Sequence, residues 1–261
     1  MSEGRKRLDD LKNGAPQSML GSACAYSSCP EEMSLATETP SIVEIRTPTG
    51  KVYLLEGEKR SILVDALNDW YEKKIIRSIQ KRGADSLSKV KLILLTHGHL
   101  DHFGGAPGLK RRLGCMIAIH QLDVEGPRSG RNMPLATRNT WEKIMKPLVD
   151  RIKAEPFEPD VTLDGDEGDL SDYGIEAKWV RTPGHTQGSI SIVFPGQTAI
   201  VGDLVVGRFN APRKPAYPLW VKDPQEIKDS VSRILEYSPE TLLSGHGGPL
   251  DADEVRRFFL G

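Results

Sequence analysis

The residues best suited to chemistry lie together in one short stretch of the chain. His97, His99, Asp101 and His102 occupy a six-residue segment that directly follows an apolar, strand-like run at residues 90–95. Alternate residues of an extended segment point to one side, so His97 and His99 can close on one ion. After a turn, Asp101 and His102 can face a second ion. Imidazole and carboxylate donors without a thiolate suit zinc, iron or manganese with open coordination positions, which predicts a metal site that performs chemistry.

Three further candidate donors follow later strands in the same way. His185 lies on a turn after the β-rich residues 175–181, while Asp203 and His246 follow two other apolar strands. Five of the six histidines therefore lie at strand exits flanked by glycine, which scattered surface histidines would not do. The sixth, His120, ends a strand and is expected to be a hydrogen-bonded framework residue.

Strands and helices that must position these donors occur twice in a similar order. Hydrophobic periodicity and turn residues predict strands at residues 41–47, 52–56, 61–65, 90–95, 116–120, 161–163, 175–181, 189–194, 199–206 and 241–244. The same signals predict helices at residues 68–82, 105–114, 140–154, 223–237 and 251–260. The helix at 140–154 carries an apolar face of Trp141, Ile144, Met145, Leu148, Val149 and Ile152. Two β-sheets packed face to face with helices outside fit this order.

Length and charge bound the remaining possibilities. A chain of 261 residues is long enough to bury a sizeable core without disulfides or structural metals. Its 35 basic and 36 acidic residues give a net charge of −1, so neither nucleic acid nor an anionic membrane is expected as a partner. The sequence contains no apolar run long enough to span a bilayer. Residues 14–28 are too polar for a secretory signal, and a cytoplasmic location is expected.

The first 40 residues read as an N-terminal extension before a domain at residues 41–261. The extension is expected to lie against the domain or to contact another subunit, and a homodimer stays open. Cys24, Cys29 and Cys115 are too few for a disulfide framework. Cys24 and Cys29 are interpreted as free thiols, with pairing or metal binding as alternatives, and Cys115 as a buried side chain.

Taken together, these motifs resemble those of the metallo-β-lactamase-fold hydrolase superfamily, over roughly residues 40–261 and in five segments of the same order. The resemblance implies an α+β fold, a four-layer αββα sandwich of two mixed β-sheets with metals at one edge. It implies a first metal held by His97, His99 and His185, a second held by Asp101, His102 and His246, and Asp203 as the bridge. Asp65, on an early strand, would orient a ligand.

The resemblance points to the binuclear branch, which includes glyoxalase II and the acyl-homoserine lactonases. Class B β-lactamases lack an equivalent of Asp203, which disfavours antibiotic hydrolysis. The lactonases carry a tyrosine where Val206 stands, which weakens that assignment. The residues after His246 are too few for the helical domain of glyoxalase II.

The function implied is hydrolysis of a small-molecule ester, with lactone, thioester and phosphoester bonds as candidates. Two ions about 3.5–4 Å apart lower the pKa of a shared water to about 7, which would provide a metal-bridging hydroxide. Zinc is the first choice, with iron or manganese as alternatives. Asp101 would orient the water or relay a proton, or act as a ligand only. Two alternatives stay open, a mononuclear iron enzyme of the persulfide dioxygenase type and a non-catalytic binding protein.

Substrate choice is expected to depend on loops. Residues 206–220 contain the candidate substrate-binding residues Arg208, Phe209, Tyr217 and Trp220, with several prolines. This basic and aromatic segment favours a substrate with an apolar body and a carboxylate or phosphate. The alternative is a proline-rich crossover with solvated charges.

Overall fold

The computed structural model describes residues 41–221 and 223–261. The predicted extension, with Cys24 and Cys29, lies outside the described residues. The strands are β1 (Ser41–Arg46), β2 (Lys51–Glu56), β3 (Ser61–Val64), β4 (Val90–Leu94), β5 (Met116–His120), β6 (Val161–Leu163), β7 (Glu167–Asp169), β8 (Lys178–Arg181), β9 (Ile190–Phe194), β10 (Thr198–Gly202), β11 (Val206–Arg208), β12 (Ala211–Ala216), β13 (Thr241–Ser244) and β14 (Leu250–Asp251).

These strands form two six-stranded mixed sheets and one hairpin. The first sheet runs β1-β2-β3-β4-β5-β6, with antiparallel pairing through β3 and parallel pairing from β3 to β6. The second runs β14-β13-β10-β9-β8-β7 and is antiparallel except between β10 and β13. Strands β11 and β12 pair only with each other in the described part of the chain.

The helices are α1 (Glu72–Gln80), α2 (Ser86–Lys89), α3 (Leu100–Phe103), α4 (Ala106–Leu113), α5 (Glu125–Ser129), α6 (Thr140–Val149), α7 (Pro224–Leu235) and α8 (Ala252–Phe259). Short 3-10 turns cover Asp69–Tyr71, Gln121–Asp123 and Ser171–Tyr173. None of these described helices is both long enough and apolar enough to cross a membrane.

Three buried apolar clusters fill the spaces between four layers, which follow one another as helices, sheet, sheet and helices. The central cluster joins the facing sides of the two sheets, as Leu92 and Leu94 of the first sheet pack with Ile192 of the second. An outer cluster packs α1 and α4 on the first sheet, and another packs α7 and α8 on the second. The predicted αββα sandwich is confirmed.

Strand β4 contributes apolar side chains to the clusters on both faces of its sheet. Leu92 and Leu94 face the central cluster, whereas Ile93 and the following Leu95 face the outer cluster beneath α1 and α4. A strand covered on both faces needs apolar residues at every position rather than at alternate ones. The strand is thereby fixed in the middle of the molecule, and the residues that follow it leave at the sheet edge.

One predicted helix differs from the structure. Helix α6 ends at Val149 rather than at residue 154, because the Arg151 and Ile152 N–H groups donate to carbonyl groups three residues earlier and the Ala154 N–H donates to Gly130 instead of continuing the helix. Its expected apolar face is not core: Trp141, Ile144 and Leu148 are 56, 69 and 57 % exposed. The strand predicted at 199–206 ends at Gly202 as β10, and residues 206–216, which were expected to be loop, form the β11–β12 hairpin. Strands β7 and β14 were too short to be predicted.

Candidate metal centre

Seven donor side chains from both sheets meet at one edge of the sandwich. His97 lies in a bend after β4, His99 precedes helix α3 in extended conformation, and Asp101 and His102 lie in the short helix α3. His185 follows β8, Asp203 follows β10 and His246 follows β13. Their donor atoms form three groups, each within 4.8 Å: His97, His99 and His185; His97, His102 and Asp203; Asp101, His102 and His246. The first and third groups are the two ligand sets implied by the sequence.

Asp203 lies between those two sets. Its Oδ2 is 3.8 Å from His185 Nε2 and 3.5 Å from His246 Nε2, and its Oδ1 is 3.5 Å from His102 Nε2. Within the sets, His99 Nδ1 lies 2.9 Å from His185 Nε2, and His246 Nε2 lies 3.3 Å from Asp101 Oδ2. One carboxylate therefore faces both sets, as a bridging ligand must.

Asp65 fixes the orientation of His102. Its Oδ2 accepts a hydrogen bond from His102 Nδ1 at 2.8 Å, which leaves Nε2 directed at the donor group. Its Oδ1 accepts from the Thr96 backbone N–H at 2.8 Å, immediately before His97. Asp65 has a φ of 65°, a conformation rare for residues other than glycine. The structure thus places this residue where the resemblance implied.

Unpaired polar atoms test whether a cation fits here. His97 Nε2, His102 Nε2 and Asp203 Oδ1 are buried and lack a hydrogen-bond partner among the described residues. Leaving such atoms unsatisfied costs roughly 1–3 kcal/mol each, so folded proteins rarely do so without a partner. In the two-set arrangement, a first divalent ion would satisfy His97 Nε2, a second would satisfy His102 Nε2, and Asp203 would contact both, so a pair of ions would satisfy all three atoms. The nitrogen and oxygen donors fit zinc, iron or manganese.

The pKa values favour the ligand state of the first set. Burial lowers the pKa of His99 to about 4 and that of His185 to about 3, and it lowers the pKa of His97 well below its usual value. These imidazoles are therefore neutral at pH 7, as metal binding requires. Burial acts against ionisation of Asp203, but His246 and His102 outweigh it and lower the pKa of that carboxyl.

The second set is different, because carboxylates surround its imidazoles. Asp203 raises the pKa of His246 to about 9 against the opposing effect of burial. Burial also opposes protonation of His102, yet Asp65 and Asp203 raise its pKa well above the usual value. Without a metal, these imidazolium groups balance the buried carboxylates. A divalent cation would take over that role.

Two glycines allow the strand ends to approach. A Cβ atom at Gly245 would lie 2.7 Å from His102 Cε1 and 2.8 Å from Asp203 Oδ1. Gly202 has a φ of 49°, and a Cβ there would lie 2.8 Å from Thr96 Oγ1. Side chains at either position would occupy space that the donors or their supports already fill.

Sequence reasoning missed Asp123, which is completely buried beside the first set. Its carboxylate accepts hydrogen bonds from the backbone N–H groups of Gly98 and Gly188 and from the hydroxyl of Thr186. A signal was available, because Asp123 follows β5, the parallel neighbour of β4, and such strand ends share one edge. His120 lies outside the donor groups: its Nε2 is 3.0 Å from the Gly165 carbonyl oxygen.

A cavity of about 860 Å³ opens over the donor residues. The four residues that the sequence predicted to bind substrate all line this cavity, but their contacts and exposure differ. Arg208 donates from Nε to the Pro215 carbonyl at 3.2 Å, and Tyr217 packs on Phe259 with ring centroids 4.7 Å apart. Phe209 projects from the hairpin and is fully exposed, while Trp220 is half-buried.

Comparisons with known proteins agree with this geometry. Residues 47–246 match the family model described as the metallo-beta-lactamase superfamily. The chain is 25 % identical over 213 residues to the probable metallo-hydrolase YflN of Bacillus subtilis, covering 75 % of this chain and 78 % of the relative. It is 26 % identical over 203 residues to the probable metallo-hydrolase MJ0888 of Methanocaldococcus jannaschii, covering 75 % and 86 %.

Solved structures show the same fold. The crystal structure of the BLEG-1 B3 metallo-beta-lactamase superposes with a TM-score of 0.66 at 19 % identity, covering 85 % of this chain and all of that one. At this identity, the likeness concerns the path of the backbone alone.

Proposed function

Because the chain belongs to the metallo-beta-lactamase superfamily, we propose that it is a binuclear metal-dependent hydrolase of small esters. Lactones, thioesters and phosphoesters are the candidate substrates. The observation that carries this proposal is the position of Asp203, whose Oδ2 lies 3.8 Å from His185 Nε2 and 3.5 Å from His246 Nε2. A carboxylate between two donor sets is what a pair of neighbouring ions needs.

The second donor set favours hydrolysis over a mononuclear iron reaction. Asp101, His102 and His246 have donor atoms within 4.8 Å of one another, in addition to the first set. An enzyme with one metal would not need this group. A purely binding protein would have no need of unpaired buried donors that face an open cavity.

The protein's own residues can be assigned roles around the ions. When bound, two divalent ions supply an activated water at neutral pH and polarise the ester oxygen. Asp101 lines the cavity, and its side chain is 49 % exposed, unlike the 10 % exposed side chain of Asp203. We assign to Asp101, the more exposed of the carboxylate donors that line the cavity, the acceptance of the proton released by the attacking water and its relay to the leaving group. Asp65 holds His102 in position.

The test is a metal-resolved activity screen. The protein is stripped with a chelator, reloaded with zinc, iron or manganese one at a time, and offered lactones, thioesters, and phosphate di- and triesters. We expect two metals per chain and turnover of at least one ester class. His99→Ala should lower both metal content and turnover, whereas the control His120→Ala, outside the donor groups, should retain its metal. One iron per chain with oxygen uptake, or His99→Ala with full turnover, would refute the proposal.

A further inference from the structure

We propose that the ester substrate carries a large apolar group, such as a long acyl chain, which binds against apolar residues of the cavity lining. This inference rests on the proposed function and names the substrate class of the same site. The apolar wall, as we name these lining residues, consists of Trp70, Val149, Ile152, Phe209, Leu219 and Trp220.

The apolar wall is unusually exposed for such large side chains. Trp70 is 81 %, Ile152 is 55 % and Phe209 is 105 % exposed, and Leu219 is 49 % exposed. Large apolar side chains that are exposed around one cavity favour an interaction site there, because leaving them in water is unfavourable. Trp220 also has a φ of 59°, which a bulky residue rarely adopts, so the surrounding structure holds it at the cavity.

The wall lies in the same cavity as the metal donors. His99, Asp101, His185, Asp203 and His246 line this cavity, whose volume is about 860 Å³. An ester group held at the donors would therefore place its substituent against the wall. Cavities of roughly 300–1,000 Å³ enclose drug-sized ligands, so an acetyl group would leave most of this one empty.

The arginines of the cavity lining already have partners in the protein. Arg111 forms two hydrogen bonds with Glu155, at 2.8 and 3.0 Å. Arg208 donates to the Pro215 carbonyl, and its guanidinium lies 5.4 Å from the centre of the Phe258 ring. Lys153 also lines the cavity and is exposed. The inference therefore concerns the apolar part of the substrate and leaves the expected carboxylate or phosphate as a prediction.

The experiment compares p-nitrophenyl acetate, butyrate, hexanoate and octanoate on the metal-reloaded enzyme, below micellar concentrations. Each buried methylene should raise kcat/KM by about two- to fourfold. Phe209→Ser and Trp70→Ser, at two places on the wall, should each lower the ratio of octanoate to butyrate kcat/KM by about tenfold. Leu260→Ser, which replaces an exposed leucine outside the cavity, is the matched control and should keep that ratio.

A binding assay separates failure of this inference from failure of the proposed function. Octylphosphonate should bind at least about tenfold more tightly than ethylphosphonate in calorimetry, and Phe209→Ser should reduce the difference. If no ester is hydrolysed but octylphosphonate still binds more tightly than ethylphosphonate, the proposed hydrolase activity is refuted. Binding of an apolar group at the apolar wall is then supported. Equal affinities for the two phosphonates, or kcat/KM independent of chain length, would overturn the inference.

A different observation carries a second inference: we infer that Asp123 is a positioning residue for the first donor set. Its Oδ2 accepts from the Gly98 N–H at 2.7 Å and from the Thr186 hydroxyl at 2.6 Å, and its Oδ1 accepts from the Gly188 N–H at 2.8 Å. Gly98 separates His97 from His99, and Thr186 follows His185. One buried carboxylate therefore connects the two turns that carry all three imidazoles.

The two glycines show that this contact is closely fitted. A Cβ at Gly188 would lie 2.7 Å from Asp123 Cγ, and a Cβ at Gly98 would lie 2.8 Å from the Asp123 carbonyl oxygen. Asparagine cannot replace the carboxylate, because both oxygens accept from N–H groups and an amide NH₂ would oppose one of them.

The test measures metal affinity and the visible spectrum of the cobalt-loaded protein, neither of which requires turnover. Asp123→Asn should weaken metal binding by about 10–100-fold and change the cobalt absorption bands. Thr186→Val removes one of the three hydrogen bonds and should have a smaller effect in the same direction. Asp160→Asn is the control, because Asp160 accepts from the Ile117 N–H at 2.8 Å, away from the donors. Wild-type affinity and spectrum in both variants would overturn the inference.

Discussion

Replacement of Gly245 by alanine should remove the second metal while leaving the fold intact. The new methyl carbon would lie 2.7 Å from His102 Cε1 and 2.8 Å from Asp203 Oδ1. Carbon atoms normally approach to about 3.5–4.0 Å, so the ring has to move by about 1 Å. The backbone cannot move instead, because the Gly245 N–H donates to Gly202 at 2.9 Å and its carbonyl accepts from Lys51 at 3.0 Å.

The expected effects follow from this displacement. Overpacking by one methyl group costs about 1–3 kcal/mol of folding free energy. A 1 Å misplacement of catalytic groups lowers turnover by about 100-fold. We expect Gly245→Ala to bind about one metal per chain by elemental analysis after dialysis. Its kcat/KM for the best ester should fall about 100-fold, and urea unfolding should show a single cooperative transition.

The control distinguishes metal loss from general destabilisation. Gly114 has a φ of 65° and no atom within 4 Å of an added Cβ, so Gly114→Ala should cost about 1–2 kcal/mol through the backbone alone. It should retain both metals. Two metals and full activity in Gly245→Ala would refute the reasoning, and so would equal metal loss in Gly114→Ala.

Three further predictions concern stability and reactivity. Chelation should lower Tm by about 8–16 °C, because metal at about 1,000 times its Kd contributes about 4 kcal/mol; an unchanged Tm would argue against a metal site. Burial opposes ionisation of Glu44, but hydrogen bonds from Arg46 and Lys51 lower its pKa below 4.5, so the stability this carboxylate provides is present above pH 4.5 and is lost as the pH falls through the lowered pKa. Glu44→Gln should therefore lower the urea midpoint more at pH 7 than at pH 3, and equal losses at both pH values would contradict this. Burial raises the pKa of Cys115 to about 11, so iodoacetamide at pH 8 should label it only after denaturation, as peptide mass spectrometry would show.

Local signals in the sequence were sufficient for most of the candidate centre. His97, His99, Asp101 and His102 are close in sequence and follow a buried strand, so their convergence required no knowledge of distant contacts. His185, Asp203 and His246 follow separate strands, and their assignment to the same centre came from the resemblance to the metallo-β-lactamase-fold superfamily. The αββα layers followed from the order of the strands and helices.

Contacts between distant segments could not be predicted in this way. Asp123 acts through hydrogen bonds to Gly98 and Gly188, which are 25 and 65 positions away. Periodicity identifies an apolar helix face but does not say what covers it: the apolar face predicted for α6 lies largely in solvent, with Ile144 69 % exposed. The prolines of β12 suggested that this segment is an irregular crossover. It is a strand instead, because a strand that pairs on one side only can contain proline.

The donors of the first set come from both halves of the molecule, since His97 and His99 leave one sheet and His185 leaves the other. A ribosome must therefore synthesise the chain as far as His185 before a complete set exists. An ion that needs all three imidazoles could bind only after that point. Fragments that end before His185 would be unable to retain it.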